Sequence, residues 1–277
     1  MAEERLNPTA HDPAEREAKR IKQFYETDDY ISKHPSLHEE DSPWKLEKIL
    51  PLVDVFLRMH KAPTVHLLDT GGGAGVLLRE TGRHISEAGR KVVKSALDLS
   101  PGMLEVQKRN NPDLTLAING DIAKTPFVDK EVDLMLLVDV LEHVPNPDQA
   151  LREVSRIAQF ALFKVPLDKN LFYRTQNFFE SGRLRDRSVH NLGHVNAYSF
   201  GSLKRDIERH GGEVVSHRYT NAYRYALRPA NQQSNQQTRW GRFENAMNTL
   251  GSAVFVISPR LASLLFNEFV VVLSRFR

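Results

Sequence analysis

The sequence predicts an α/β protein whose core is a doubly wound sheet of seven strands, mostly parallel, with the last strand antiparallel. From about residue 64 onward, short apolar runs alternate with stretches compatible with helices. Several runs are almost continuous in Val, Leu and Ile, which is typical of strands buried on both faces by helices. The predicted strands span residues 65–69, 92–98, 114–120, 132–139, 160–166, 213–219 and 269–276.

The composition of the 277-residue chain is that of a globular protein, with 40% hydrophobic and 26% charged residues. The absence of cysteine excludes a disulfide framework, a zinc–thiolate site, an iron–sulfur cluster and a cysteine nucleophile. The first twenty residues are charged and lack an apolar stretch. We therefore expect neither a secretory signal nor a membrane anchor, and we predict a soluble, cytoplasmic protein.

The charge is unevenly distributed, although the net charge of the whole chain is only +3. Residues 164–277 contain 17 Lys and Arg against 8 Asp and Glu. This excess predicts a solvated basic face or, alternatively, a surface that attracts an anionic partner.

Two insertions and one apolar stretch interrupt the alternation of strands and helices. The connection between residues 166 and 212 is too long for an ordinary loop, so its first part is predicted to form a lid over a site. Residues 227–240 are polar and rich in Gln and Asn, which predicts a mobile loop. Residues 243–266 are apolar but contain Pro and Arg, so we predict a buried helix pair, with an interfacial membrane helix as the alternative.

These features divide the chain into four segments. Residues 1–60 are predicted to form a tail and a helical cap, with helix-compatible stretches at Ala14–Tyr25 and Trp44–Met59. The other segments are an α/β core at residues 61–167, the lid and a helix at residues 168–211, and strands and helices that complete the sheet at residues 212–277.

The strongest functional signal lies between the first predicted strand and the following helix. In VHLLDTGGGAGVLL the strand ends at Asp69, and glycines follow at positions 71, 73 and 75. A turn without side chains lets backbone N–H groups and a helix N-terminus approach a ligand. The turn lacks the Lys-Ser/Thr of a phosphate-binding P-loop, and its place after the first strand predicts a nucleotide site.

The spacing D-x-G-x-G-x-G, followed by ALDLSPGML, NGDIAKTPF and VDLMLLVDVLEHVPNPDQALREVSRI, resembles the class I S-adenosylmethionine-dependent methyltransferases, in particular their small-molecule branch, type 11. The resemblance covers residues 65–167 firmly, and residues 193–215 and the last strand more loosely. It implies a Rossmann-like fold, S-adenosyl-L-methionine as the methyl donor and a small-molecule acceptor that can be anionic or lipid-linked.

The resemblance also implies roles for individual residues. Asp69, Gly71 and Gly73 would approach the methionine end of the donor, and Asp121 would lie near the adenine amino group. Asp98 would bind the ribose, because a carboxylate at the carboxyl edge of a strand can accept both ribose O–H groups. The complete set of predicted cofactor-binding residues is Asp69, Gly71, Gly73, Gly75, Asp98, Leu99, Met103, Asp121, Ile122 and Asp139.

Methyl transfer needs alignment and exclusion of water, and it needs a base only when the acceptor loses a proton. The candidate bases are His143, His190, His194 and Tyr198. We predict His194 as the catalytic base. His143 is the second catalytic candidate, although its position in DVLEHV favours a structural role beneath the cofactor.

A divalent metal ion is the other catalytic alternative. Asp139, Glu142 and His143 form a D-x-x-E-H string with which some methyltransferases of this fold hold such an ion, completed by His190 or His194. Similar strings occur in metal-free relatives, and Asp139 is one methylene shorter than Glu. We therefore predict no metal ligand.

The predicted function is methyl transfer, at oxygen, to a small-molecule or lipid-linked acceptor under residues 168–200. The alternatives are a non-catalytic regulatory protein that binds S-adenosylmethionine and a nicotinamide-dependent oxidoreductase. The glycine spacing and the lack of a Tyr-x-x-x-Lys pair disfavour the oxidoreductase. No nucleic-acid partner is expected, because no basic run is interleaved with aromatic residues. Peripheral membrane contact and the oligomeric state stay open.

Overall fold

The computed structural model describes residues 39–183, 193–228 and 239–277, together with Arg20. Its seven strands form one sheet in the order β3-β2-β1-β4-β5-β7-β6, in which β7 is antiparallel to both neighbours and the pairs among β1–β5 are parallel. The predicted fold class is therefore confirmed. The strands are β1 (Thr64–Thr70), β2 (Lys91–Asp98), β3 (Leu114–Asn119), β4 (Val132–Val138), β5 (Ala158–Pro166), β6 (Gly212–Tyr219) and β7 (Phe269–Phe276).

Helices cover both faces of this sheet. Phe56 of α1 and Leu78 of α2 belong to one buried cluster, and Leu151 of α4 and Ile207 of α6 belong to the other. The helices in the described ranges are α1 (Ser42–Met59), α2 (Val76–Glu87), α3 (Pro101–Asn110), α4 (Pro147–Ile157), α5 (Leu171–Phe179), α6 (Phe200–Arg209), α7 (Ala222–Ala226), α8 (Arg239–Ile257) and α9 (Pro259–Leu265). Short 3-10 turns lie at Glu39–Asp41 and Leu141–His143.

Local capping fixes where two helices of the core begin. The side chain of Ser100 accepts a hydrogen bond from the N–H of Met103, and that of Asn146 accepts one from the N–H of Gln149. A proline follows each cap at the first helical position, where its missing N–H removes no helical hydrogen bond. α3 therefore starts shortly after β2, whereas α4 starts after the 3-10 turn that follows β4.

The strand order reverses at β1, which pairs with β2 on one side and β4 on the other. Neighbouring loops leave such a point in opposite directions, which opens a crevice at the carboxyl edge. The fold therefore places the glycine-rich turn after β1 directly at this crevice.

Two sequence predictions fall outside the described residues and a third is partly wrong. The predicted helix at Ala14–Tyr25, apart from Arg20, and most of the polar loop at 227–240 are outside the described ranges. The helix pair within 243–266 exists as α8 and α9. Its predicted burial is wrong: Val256 and Ile257 are 81% and 84% exposed, because the contacts of these helices use only part of their apolar surface. Within the described ranges, no helix is both long and apolar enough to cross a bilayer.

Candidate active site

A cavity of about 420 Å³ opens at the carboxyl edge of the sheet, beside the point where the strand order reverses. Its volume lies within the range of about 300–1,000 Å³ that is usual for small-molecule sites. The predicted site residues that line it are Gly71, Gly73, Asp98, Leu99, Met103, Asp121, Ile122, Asp139 and His143. Sequence reasoning missed further lining residues, including Val140, Val144, Pro145, Asn146 and Gln149.

The glycine-rich turn forms one wall of this cavity. Gly71 and Gly73 have φ values of +62° and +54°, a conformation that favours glycine. The N–H of Gly71 donates to the carbonyl of Leu97 at 2.8 Å, which ties the turn to β2. A Cβ at Gly71 would lie 3.0 Å from Cγ2 of Val140, so the turn also packs against the loop after β4. The backbone is thus exposed to the cavity in a fixed position.

Gly75 has a different surrounding from the other two glycines. It is the N-cap of α2 with φ +75°, and its carbonyl accepts a hydrogen bond from Nδ2 of Asn111 at 3.0 Å. A Cβ at Gly75 would lie 2.7 Å from the same amide nitrogen. The structure places Gly75 against the end of α3 and outside the cavity lining, where it fixes the start of α2.

Asp69 lies beneath the turn, and it does not line the cavity. Its side chain is buried, and a Cβ at Gly72 would overlap its Oδ2 at 2.1 Å. Neither carboxylate oxygen has a hydrogen-bond partner among the described residues. Burial, reinforced by the charge of Asp98, raises the pKa of Asp69 to about 7. A positive charge on the other side of the turn would favour the ionised carboxylate.

Asp98 ends β2 and points its carboxylate into the loop that lines the cavity. Its Oδ1 accepts a hydrogen bond from the N–H of Ser100 at 2.9 Å, and Nε2 of Gln107 lies 3.4 Å from its Oδ2. Burial raises the pKa of Asp98 to about 6, although the N–H groups of Ser100 and Leu99 act in the opposite direction. Hydroxyl donors from a ligand would stabilise its ionised form.

Asp121 and Ile122 follow β3 on the same side of the cavity. Oδ1 of Asp121 accepts a backbone N–H at 2.9 Å, and the side chain of Ile122 is buried. The side-chain amide of Asn119 donates to the carbonyls of Asp98 and Leu99, at 3.0 and 2.8 Å. The ends of β2 and β3 are therefore joined, which fixes a carboxylate and an apolar side chain side by side.

Asp139 follows β4, and its carboxylate is held by two lysines. Lys164 donates to Oδ1, and Nζ of Lys45 lies 3.0 Å from Oδ2. Burial alone would raise the pKa of Asp139, but the charges of Lys164 and Lys45 hold it well below its usual range. Lys164 is itself buried, with Nζ 3.9 Å from the ring centre of Phe269 and 5.4 Å from that of Trp44. A charged residue inside the apolar run FALFKVP was the only sequence signal for this network.

The two predicted catalytic histidines are brought together. Their ring centres lie 4.9 Å apart. Nδ1 of His143 lies 3.1 Å from the carbonyl of Gly193, and Nδ1 of His194 lies 3.5 Å from Oδ2 of Asp168. His143 lines the cavity, whereas His194 is not among the lining residues. Burial, together with His194, lowers the pKa of His143 to about 4, so its imidazole is neutral at neutral pH.

The segment around His194 is fixed to the turn that carries His143. Nδ2 of Asn196 donates to the carbonyls of Leu141 and Val144 at 3.0 and 2.7 Å, and its backbone N–H donates to the carbonyl of Glu142. Tyr198, another candidate base, is buried in the hydrophobic core, and burial raises its pKa. The remaining candidate, His190, is outside the described residues.

A carboxylate and two imidazoles at this point have the spacing of a metal site. Glu142, His143 and His194 each offer a ligand atom within 4.8 Å of the others. However, both oxygens of Asp139 are bound by lysines, and burial and the charge of Asp139 raise the pKa of Glu142 well above its usual value. A divalent ion would therefore compete with the charge of Lys164 and with a proton on Glu142. The absence of a metal ligand stays a prediction, and dialysis against a chelator tests it.

Residues 68–159 match the family described as methyltransferase domain. The demethylmenaquinone methyltransferase of Renibacterium salmoninarum is 36% identical over 97 residues, which cover 35% of this chain and 38% of that protein. The enzyme of the same name from Paenarthrobacter aurescens is 36% identical over 115 residues, which cover 38% and 43%. The chain thus spans less than half the length of each of these relatives.

Solved structures share the fold over most of the chain. The geranyl diphosphate C-methyltransferase of Streptomyces coelicolor A3(2) has a TM-score of 0.55 at 12% identity, covering 82% of this chain and 79% of that one. The cyclase SpnF has a TM-score of 0.53 at 14% identity, covering 82% and 80%. Such likeness shows the fold alone, and the two neighbours are named for different reactions.

The strand order, with a cavity after β1, is that of the Rossmann-like fold that this chain shares with solved methyltransferase structures. Within it, residues 68–159 are similar to the methyltransferase domain of type 11. The resemblance found in the sequence is therefore confirmed.

Proposed function

We propose that this protein is an S-adenosylmethionine-dependent methyltransferase that acts on a small acceptor bearing an ionisable hydroxyl group. The observation that carries this proposal is the cavity, which brings the glycine-rich turn together with the carboxylates of Asp98 and Asp121. The relatives named for demethylmenaquinone support a small-molecule acceptor. A lipid-linked acceptor and a cytoplasmic location are further parts of the proposal, carried over from the sequence.

The residues present fit the proposed donor. Bound S-adenosylmethionine would supply a methyl carbon on a positively charged sulfur, which departs as a neutral thioether. Asp98 would accept the ribose hydroxyls, and Asp121 with Ile122 would meet the adenine. Asp69 supports the fit independently, because its two oxygens, which have no hydrogen-bond partner in the described parts of the chain, favour a cationic group above the turn. Gly71 and Gly73 leave the space that such a ligand needs.

His143 is the residue that we propose as the base. Its Nδ1 faces the Gly193 carbonyl, so Nδ1 carries the proton and Nε2 is the basic nitrogen of the neutral ring. Nε2 would accept the hydroxyl proton, and the oxygen would keep the electron pair that forms the new bond to carbon. His194 is the base that the sequence favours. In this proposal it would contact the ring of His143 and lie next to Asp168, without taking the proton itself.

The proposal has two forms, which differ in the atom that receives the methyl group. The sequence favours oxygen, whereas one relative, from Pseudoalteromonas translucida, is named a ubiquinone/menaquinone biosynthesis C-methyltransferase. A deprotonated aromatic hydroxyl shares its negative charge between the oxygen and the ring carbons ortho and para to it. The same base therefore serves methylation at oxygen and at such a carbon. Mass spectrometry of the product with methyl-labelled donor separates an ether from a ring methyl group.

Calorimetry on the full chain tests the donor assignment. We expect S-adenosylhomocysteine to bind and NAD not to bind. Preferential binding of NAD would indicate the oxidoreductase alternative. The transfer assay then uses demethylmenaquinone reduced to its quinol, together with simple dihydroxynaphthalenes. Binding of S-adenosylhomocysteine without transfer to these acceptors or to a cell extract would favour the regulatory alternative.

Replacement of the proposed base gives the first prediction. His143→Asn is expected to lower kcat by about 10²–10⁴-fold, since it removes the proton acceptor, and to leave donor affinity unchanged. Because the pKa of His143 is lowered to about 4, the wild-type rate should be flat from about pH 5 upward instead of rising near the usual histidine value.

Two variants control this test. His217→Asn changes a histidine that stacks on Phe200, away from the cavity, and should leave the rate unchanged. If His194→Asn removes the activity and His143→Asn does not, the roles of the two histidines are reversed. Rate measurements at saturating donor distinguish these outcomes.

A further inference from the structure

The three helices α5, α8 and α9 carry most of the large apolar side chains that the described residues expose. Nine of the twelve such side chains lie on these helices, and four of them are 78–84% exposed. Soluble surfaces rarely gather apolar side chains in this way without a partner. We call this group the apolar surface; it consists of Leu171, Phe178, Phe179, Phe243, Leu250, Val256, Ile257, Leu261 and Leu264.

The three helices form one connected unit. α9 contacts both α8 and α5. The ring of Phe172 in α5 also lies 6.4 Å from that of Phe243 in α8. Their exposed side chains therefore belong to neighbouring elements and not to scattered positions.

The sheet register connects this unit to the same edge of the sheet as the cavity. α5 follows β5 and α9 precedes β7, and Pro166 at the end of β5 pairs with Phe269 at the start of β7. Both connections therefore leave the sheet at the carboxyl edge of its parallel strands. The cavity lies at this same edge, so the apolar helices and the cavity are connected to one side of the sheet.

Positive charge accompanies the apolar side chains. The sequences of α5, α8 and α9 contain four arginines and one glutamate. Phe255, adjacent to Val256 in α8, lines a cleft of about 760 Å³ whose basic members are Lys48, Arg218, Arg224 and Arg228. Glu47 is the single acidic residue of that lining. An occupant that offers both hydrocarbon and negative charge would be complementary to this combination.

We propose that the apolar surface and the adjacent basic cleft bind the surface of a membrane that contains anionic lipids. The apolar side chains would enter among the acyl chains, and the arginines would meet the headgroup phosphates. A second copy of the chain is disfavoured, because a twofold contact would place the same arginines against one another. Membrane binding goes beyond the proposed reaction, since methyl transfer to a hydroxyl group needs only the cavity, whereas a lipid-linked acceptor would in addition have to be reached in a membrane.

Co-sedimentation of the full chain with lipid vesicles tests the proposal. We expect vesicles of phosphatidylcholine with phosphatidylglycerol to bind at least about tenfold more protein than phosphatidylcholine alone, with the difference shrinking as salt is added. Val256→Ser combined with Ile257→Ser should lower binding to both vesicle types by about tenfold or more. Arg218→Gln combined with Arg224→Gln should lower binding to the anionic vesicles only.

Matched control variants lie at the opposite edge of the sheet. Val128 is 66% exposed and precedes β4, and Arg277 follows β7. Val128→Ser and Arg277→Gln should leave vesicle binding unchanged. Because all of these positions are on the surface, thermal melting should show that each variant folds.

Three results would overturn the proposal. One is no binding to anionic vesicles, and another is equal loss of binding in the control variants. The third is a concentration-dependent dimer that disappears when Val256 and Ile257 are changed, which would make the apolar surface a contact between copies. Transfer to a water-soluble dihydroxynaphthalene is measured in parallel, so that a failure of membrane binding and a failure of the proposed reaction are separate observations.

Discussion

The two halves of the sheet hold their charged groups in opposite ways. In the first half, β1–β4 with α2–α4, the carboxylate of Asp69 has no hydrogen-bond partner in the described structure, and Asp98 is bound by its own loop and by Gln107. In the second half, β5–β7 with α5–α9, Lys164 is paired with Asp139 and enclosed by aromatic rings, while apolar side chains face outward. The first half therefore leaves polar groups available to a ligand, and the second half leaves apolar surface available to a partner.

The largest expected effect tests how far the second half depends on its buried ion pair. Lys164→Met should lower the free energy of unfolding by about 3–5 kcal/mol, because Asp139 would keep only Lys45 as a partner for its buried charge. Urea unfolding measures this change. Asp139 itself lines the cavity, but the other pocket residues lie outside this ion pair, so donor binding under folding conditions should be affected less than stability.

A lysine of the first half provides the matched control. Lys94 is also buried, but its partner Asp113, at 2.8 Å, has a side chain that is 68% exposed. Lys94→Met should lower the free energy of unfolding by no more than about 1 kcal/mol, since the exposed carboxylate of Asp113 can be solvated by water. Equal losses of stability in the two variants would remove the proposed difference between the halves.

The next prediction concerns the preformed turn of the first half. Gly73→Val should weaken the binding of S-adenosylhomocysteine at least about 100-fold, because the side chain would fill the wall of the cavity at a φ of +54° that L-residues rarely adopt. Gly89→Val is the control: Gly89 also has positive φ, at +83°, but a Cβ there meets nothing within 4 Å. Calorimetry should show normal affinity for the control. Similar losses in both variants would mean that backbone strain, and not occlusion, is responsible.

A smaller effect is expected at the end of β2. Asp98→Ala should weaken donor binding by about 1.5–3 kcal/mol through the loss of hydrogen bonds to a charged acceptor. Asp98→Asn keeps an oxygen that can accept the Ser100 N–H, so it should preserve the loop and recover part of the affinity. Calorimetry on the two variants separates loss of the charge from loss of the loop. Unchanged affinity in Asp98→Ala would contradict the ribose role.

The first half could be predicted from the sequence because its signals are local. The turn at Gly71 and Gly73 and the carboxylate of Asp98 each lie directly after their strand, so the topology alone brings them together. The ion-pair network that joins Lys164 of the second half to the loop after β4 depends on contacts between distant residues. Lys45 reaches Asp139 from another element, and no periodic pattern in the chain encodes that pairing.

The histidines show the same limit in the site itself. The sequence identifies both His143 and His194 as candidates. Which of the two lines the cavity depends on how residues 193–199 pack. The hydrogen bonds of Asn196 to the carbonyls of Leu141 and Val144 decide that packing. An amide that binds two carbonyls on a distant turn leaves no local pattern in the sequence.

The pH dependence of donor binding should test the difference between the two halves, because it should show that a buried carboxylate of the first half becomes ionised when a cationic ligand binds. Burial, followed by the charge of Asp98, raises the pKa of Asp69 to about 7, so near neutral pH the free protein holds a proton there in part of the molecules. A cation bound above the turn favours the ionised carboxylate, so binding releases that proton and affinity rises with pH from about 6 to 8, by at most about tenfold per pH unit. Calorimetry in buffers of different ionisation enthalpy counts the proton. Asp69→Asn should abolish both the release and the slope, whereas a slope that persists in this variant would assign the proton to another group.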